Sequence, residues 1–217
     1  MAIRVILADS HPLMLEGIKA VFEKKAGDIT VAGAAVDGKG LLQLARKKPA
    51  DVYILDIAMP YLNGIETAAR LFRWNKKAKV IFLSMHNDKS TAEKALKTGA
   101  RGYLLKEDPA DEVIKAVHEV FRGGYYISAP LAELLAEKMS ADTRNSARPD
   151  SRDRLTSKER EIVQLIAEGM PNKQIARELR ISENTVHAHR NNIARKLDIH
   201  KQTDLVRYAL KENIATL

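Results

Sequence analysis

The chain has 217 residues, room for one or two domains at roughly 100–200 residues each. Its 45% hydrophobic and 29% charged residues suit a globular protein and exclude a disordered one. The absence of cysteine removes disulfides, thiolate zinc sites and cysteine nucleophiles, and the formal charge of +8 favours a polyanionic partner.

The opening apolar stretch, Ile3 to Ala8, meets Asp9 too soon for a signal peptide. No later run approaches the roughly 18 apolar residues of a membrane span. A cytoplasmic protein without membrane contact is the expectation. Short, nearly all-apolar runs at Ile3–Ala8, Ile29–Ala34, Val52–Leu55, Val80–Leu83 and Gly102–Leu105 read as buried strands, because they lack the alternation of a half-exposed one. Helical patterns lie between and after them, at 12–25, 38–47, 64–75, 88–98 and 108–122, with Pro12 and Pro109 suited to first turns. Five successive βα units predict a flavodoxin-like, doubly wound, five-stranded parallel sheet over residues 1–124.

Beyond Gly123-Gly124 the pattern changes. A helix is expected at 129–139, and 140–153 is polar, lacks periodicity and reads as linker, so 125–153 is assigned to helix and flexible linker. From 154 to 217 everything reads helical. Thr156 with Glu159 forms a capping box, Gly169 ends that first helix, a second runs from 172 to 179, and Ser182 caps a third ending at Leu197. A fourth spans about 202–212. These last residues, from 151 on, hold 13 basic against 9 acidic side chains.

Four of the five strands end in a polar, chemically capable side chain: Asp9-Ser10, Asp56, Ser84 and Lys106. Open parallel sheets bind ligands at that rim. Paired carboxylates there need a cation, from Lys106 or from Mg²⁺, which takes oxygen ligands. A carboxylate can also act as a nucleophile toward phosphorus, with the ammonium and hydroxyl stabilising phosphoryl charge. Rival motifs fail: no phosphate loop occurs, Gln43 stands where a dinucleotide fingerprint needs glycine, and His118-Glu119 lacks its second histidine.

Asp9-Ser10-His11-Pro12, Leu55-Asp56-Ile57-Ala58-Met59-Pro60 with Asn63-Gly64, Ser84, and Tyr103-Leu104-Leu105-Lys106 resemble the receiver domain of two-component response regulators. The resemblance implies that Asp56 accepts phosphoryl from a sensor histidine kinase. It further implies that Ser84 and Lys106 contact the phosphoryl group and that Ser84 and Tyr103 form the switch. Asp9, Asp56 and the Ala58 backbone carbonyl would bind Mg²⁺. Ser10 departs from the family's second acid, which leaves two readings open: a working but weakened metal site, or a receiver that acts independently of phosphorylation. A metal-assisted phosphatase or phosphotransferase is a third reading, for which no second acid at the nucleophile loop is present.

In the C-terminal region, the tight turn and the basic, Asn-rich third helix form a helix-turn-helix pattern. With Val186, Ile193 and Leu197 facing inward, Asn184, His187, Ala188, Asn191 and Arg195 lie on another face, open to a major groove. Lys173, Ser182, Thr185, Arg190 and Lys196 suit phosphates. A four-helix protein-contact module would show the same apolar pattern. The runs Leu155 to Glu161, Ile166 to Gly169, Asn172 to Ala176 and Thr185 to Leu197 resemble the LuxR-type helix-turn-helix, and with the receiver the NarL/FixJ class. His187 departs from the lysine often found there. The resemblance implies a homodimer when active, joined through Val206, Ala209 and Leu210, on an inverted-repeat site in double-stranded DNA. It also implies a receiver that masks the recognition helix at rest, and RNA polymerase is a candidate partner.

Overall fold

Strand β1 (Ile3–Ala8) sends Val5 and Leu7 to one side of the sheet and Ile6 and Ala8 to the other. β3 (Val52–Asp56), β4 (Val80–Ser84) and β5 (Gly102–Leu105) repeat this two-faced burial. A strand apolar on both faces needs cover on both, and the intervening helices supply it. Leu15, Ile18 and Phe22 of α1 (Pro12–Lys25) join Val113, Ala116, Val117 and Val120 of α5 (Ala110–Phe121) on one face. Residues of α2 (Gly38–Lys47), α3 (Gly64–Trp74) and α4 (Lys89–Lys97) cover the other, among them Leu41, Ala68, Leu71 and Ala95.

This computed structural model describes residues 2–85, 87–133 and 155–215. The chain divides into two compact units, residues 1–145 and 146–217. The sheet is entirely parallel in the order β2-β1-β3-β4-β5-β6, with β2 (Ile29–Ala35) at one edge, where its apolar, unreactive end belongs. The order reverses between β1 and β3, which sets Asp9 beside Asp56 one residue past the Ala8–Leu55 pair.

The sheet has six strands where five were expected. β6 (Tyr126–Ile127) pairs with Gly102 and Tyr103 of β5, and Leu131 is buried in the sheet's core. The receiver's packing therefore continues past residue 124. Two residues are too few for a periodic signal, so β6 is made by its backbone partner and not by its own pattern. Of the helix expected at 129–139, residues 129–133 are helical (α6); 134–139 and the linker at 140–153 lie outside the described residues. Pro109 sits at the N-cap of α5, one place before the first turn.

The C-terminal unit is built around α7 (Ser157–Ala167), whose reciprocal Thr156–Glu159 capping box is present. Ile162, Val163, Leu165 and Ile166 share one core with Ile175 of α8 (Asn172–Leu179), Val186 and Ile193 of α9 (Glu183–Leu197), and Leu205 and Ala209 of α10 (Gln202–Lys211). The α8–α9 turn runs through Arg180 in the left-handed region (φ 54°), which ends α8 and frees Ser182 to cap α9. Ala209 belongs to that core. The expected dimer contact through it is corrected: Leu205 and Ala209, four apart, are the buried stripe of α10, while Val206 and Leu210 remain half-exposed.

Candidate functional site

The pocket at the switch point is assembled by strand ends. Asp56 closes β3, Ser84 closes β4 next to it, and the Lys106 amide donates to the Ser84 carbonyl (2.8 Å), so register alone brings the three together. Gly64 opens α3 against this rim: a Cβ there would lie 2.2 Å from the Asp56 carbonyl oxygen, so no larger residue fits. Asn63 caps the helix by accepting from the Glu66 amide at 2.9 Å. Tyr61, in the same loop, holds a left-handed backbone (φ 63°), a strained conformation for an aromatic residue.

Lys106 Nζ stands 2.7 Å from Asp9 Oδ2 and 2.9 Å from Asp56 Oδ2, and all three side chains are nearly inaccessible to solvent. Two carboxylates thus share one ammonium. Burial, then the charge of Asp9, pushes the Asp56 carboxyl above its ordinary range, against the opposing pull of Lys106 and the Ala58 amide. That amide donates to Asp56 Oδ1 at 3.1 Å. Ser84 is buried and hydrogen-bonded with Tyr103, whose phenol burial pushes up to about 12, so the ring stays neutral. Tyr103 is wholly enclosed, which joins the two expected switch residues in one buried contact.

Ser10 lies at the mouth and donates to the Ala58 carbonyl at 3.2 Å. His11 adds an unexpected donor. Its amide donates to Asp9 Oδ1 (2.9 Å) and its Nδ1 lies 3.0 Å from the same oxygen. Ligand atoms of Asp9, His11 and Asp56 all fall within 4.8 Å of one another. An excess of one negative charge, carboxylate oxygens and a backbone carbonyl fit a divalent cation such as Mg²⁺.

On the C-terminal unit, Lys173, Ser182, Asn184, Thr185, His187, Ala188, Asn191 and Arg195 are exposed, as a groove-facing surface requires. Ser182 Oγ accepts from the Thr185 amide (3.0 Å) and touches its hydroxyl (2.7 Å), so both hydroxyls serve the start of α9. Arg190 is held by Asn172 Oδ1 (2.9 Å) and Gln202 Oε1 (3.3 Å), and His187 Nε2 meets Asn172 Nδ2 at 3.1 Å. Lys196 departs from its expected phosphate role. It is drawn inward to Glu159, 2.6 and 2.8 Å from the two oxygens, because the buried capping-box carboxylate needs a cation. Asn172, Gln202 and Glu159 thus fix the orientation of this face, and the sequence pattern did not mark them for it. The capping-box spacing was the one available signal, and it pointed to a helix start only.

Fold and pocket together define a receiver-type α/β domain, followed by a helix-turn-helix domain. The models for the response regulator receiver domain and for bacterial regulatory proteins of the luxR family match residues 5–118 and 153–209. The chain is 34% identical over 210 residues to the nitrate/nitrite response regulator protein NarL of Escherichia coli K12, covering 97% of this chain and 96% of that one. It is 38% identical over 216 residues to the transcriptional regulatory protein MctR of Rhizobium johnstonii, at 99% and 96% coverage. Among solved structures, a Salmonella typhimurium RcsB response regulator aligns with TM-score 0.67 and 28% identity over 97% of this chain and 98% of that one. An RcsB–DNA complex aligns with TM-score 0.60 and 27% identity, covering 98% and 99%. The chain belongs to the NarL/FixJ class of response regulators: it is a transcription factor with a receiver and a LuxR-type DNA-binding domain.

Proposed function

We propose that Asp56 is the phosphoacceptor and that its modification by a sensor histidine kinase favours a homodimer bound to inverted-repeat DNA. A carboxylate oxygen of Asp56 attacks the phosphorus of a phosphohistidine. The P–O bond forms as the P–N bond breaks, and the leaving imidazole nitrogen takes up a proton. Lys106 and Ser84 offer an ammonium and a hydroxyl to the phosphoryl oxygens. Asp9, Asp56 and the Ala58 carbonyl would hold Mg²⁺, which when bound supplies positive charge against the same oxygens. Tyr103, linked to Ser84, carries the change away from the pocket.

The observation that carries this reading is the buried Asp9–Lys106–Asp56 bridge at the switch point. At the other end, Asn184, His187, Ala188, Asn191 and Arg195 read base edges, and Lys173, Ser182, Thr185 and Arg190 contact phosphates. Val206 and Leu210 supply the dimer face. Dimers of this type place half-sites about 34–36 Å apart. A cytoplasmic location follows from a DNA target and an intracellular phosphoryl donor, and RNA polymerase is a candidate partner at promoters. Turnover of a small substrate forms no part of this reading.

Acetyl phosphate with Mg²⁺, followed by a phosphate-affinity gel, tests the proposal. A shifted band that vanishes in Asp56→Asn supports it; no Asp56-dependent band at saturating donor refutes it. The Ser10 hydroxyl on the Ala58 carbonyl favours one second reading, a regulator whose receiver works without phosphorylation. In that case DNA affinity is the same with and without donor.

A further inference from the structure

We propose that His11 Nδ1 is a ligand of the receiver pocket and turns it toward a first-row transition-metal dication in preference to Mg²⁺. The inference rests on reading this pocket as the cation site of the phosphoacceptor, and it concerns which cation that site selects.

The charge balance comes first. Asp9 and Asp56 are each only 1% exposed and face a single ammonium, Lys106, so one buried negative charge is left over. Buried charge of this kind calls for a cation. Ser10 brings no charge, and its hydroxyl donates to the Ala58 carbonyl. A hard ion such as Mg²⁺, which favours oxygen ligands and carboxylates, therefore finds one anionic donor fewer.

His11 makes good that loss for some ions and not for others. Its Nδ1 lies 3.0 Å from Asp9 Oδ1 and 3.3 Å from Ser10 Oγ, and these are its ring's hydrogen-bonding contacts among the described residues. Neighbouring donors on an octahedral dication with bonds of roughly 2.1 Å stand about 3 Å apart. The Asp9–His11 spacing therefore already suits one shared cation. The ring makes no side-chain cap on α1 and its side chain is 66% exposed, so reorienting it toward a metal disturbs little packing. Imidazole nitrogen adds affinity for the first-row dications, least for manganese and most for copper, whereas Mg²⁺ draws little from it.

The test uses the chelator-stripped full chain and no phosphoryl donor. Mn²⁺ binding is followed by loss of the free-ion electron paramagnetic resonance signal, Mg²⁺ by competition, and nitrogen ligation by electron spin echo modulation. The expected result is nitrogen modulation in the wild type that disappears in His11→Ala, with Mn²⁺ affinity about tenfold weaker and Mg²⁺ affinity changed by less than twofold. Ser10→Asp is expected to raise Mg²⁺ affinity about tenfold. The His11 amide bond to Asp9 is backbone and survives in His11→Ala, and thermal melting checks that this variant is folded. Absence of nitrogen modulation in the wild type, its persistence in His11→Ala, or equal weakening of both ions overturns the proposal. Nitrogen-coupled Mn²⁺ in a protein that acetyl phosphate never modifies would uphold this inference and defeat the phosphorylation reading; the converse outcome would do the reverse.

Discussion

The two units of the chain handle charge in opposite ways. In the receiver, Asp9, Asp56 and Lys106 are shut away from solvent at the carboxyl ends of β1, β3 and β5, where each ionic contact is strong and register sets the geometry. On the C-terminal unit, Asn184, His187, Asn191 and Arg195 stand exposed on one helix face, and their charges and amides are available to a partner. Arg190 is pinned there by two neutral amides and Lys196 by a carboxylate, while His187 and Arg195 each meet one side-chain amide. Buried charge suits chemistry on one atom; exposed charge suits a large polyanion that must come and go with salt.

The largest expected effect breaks the receiver's side of this contrast. Lys106→Met leaves two buried carboxylates without their ammonium, so one of them takes up a proton. Asp56 labelling by acetyl phosphate is expected to fall at least a hundredfold, measured as initial rate on the phosphate-affinity gel. Retained labelling would show that the ammonium is a structural bridge only.

Next in size is Glu159→Ala in the C-terminal unit. It strands Lys196 and removes the acceptor for the Thr156 amide, which lies at 2.7 Å. A loss of about 2–4 kcal/mol is expected in urea melts of that unit. The same pair predicts a pH dependence. Burial alone would raise the Glu159 carboxyl, but the Lys196 ammonium and the Thr156 donors outweigh it and hold the group below its usual value. A lowered folded value means that its contribution is fully present above the unfolded carboxylate range. It is lost as pH falls through the depressed value, below the usual glutamate range. Lys196→Met is expected to flatten that acid limb of the urea midpoint.

Smaller effects sharpen the exposed face. Asn191→Ala with Arg195→Ala is expected to cost about 1–3 kcal/mol of base discrimination per lost bidentate contact, read by site selection and footprinting. Unchanged sequence preference would move the reading face elsewhere on α9. Lys173→Ala is expected to weaken binding to all sequences alike and to lower the salt slope by about one.

Much of this was legible because its signals are local. Asp9, Asp56, Ser84 and Lys106 follow apolar runs too short for helices, and Thr156 with Glu159 announces its own helix start. The short β6 and the burial of Ala209 were not legible. Two strand residues carry no period, and on α10 the apolar residues Leu205, Val206, Ala209 and Leu210 fit two overlapping stripes. The pairing of Lys196 with Glu159, 37 positions apart, was hidden because a basic side chain at a helix end reads equally well as a phosphate contact. His11 stood in plain view within its motif; its approach to Asp9 is a matter of rotamer and loop path.

By itself, then, the sequence determined the order of elements, the parallel sheet, the strand-end acids and the exposed face of α9. Each of these follows from periodicity or from the residue that ends a run. Tertiary structure alone decided which charges meet: two carboxylates on one ammonium, an imidazole against Asp9, a lysine turned inward to a helix cap. Such encounters depend on strand register and helix packing between residues far apart in the chain, and the free energy of burying a charge depends on what arrives beside it.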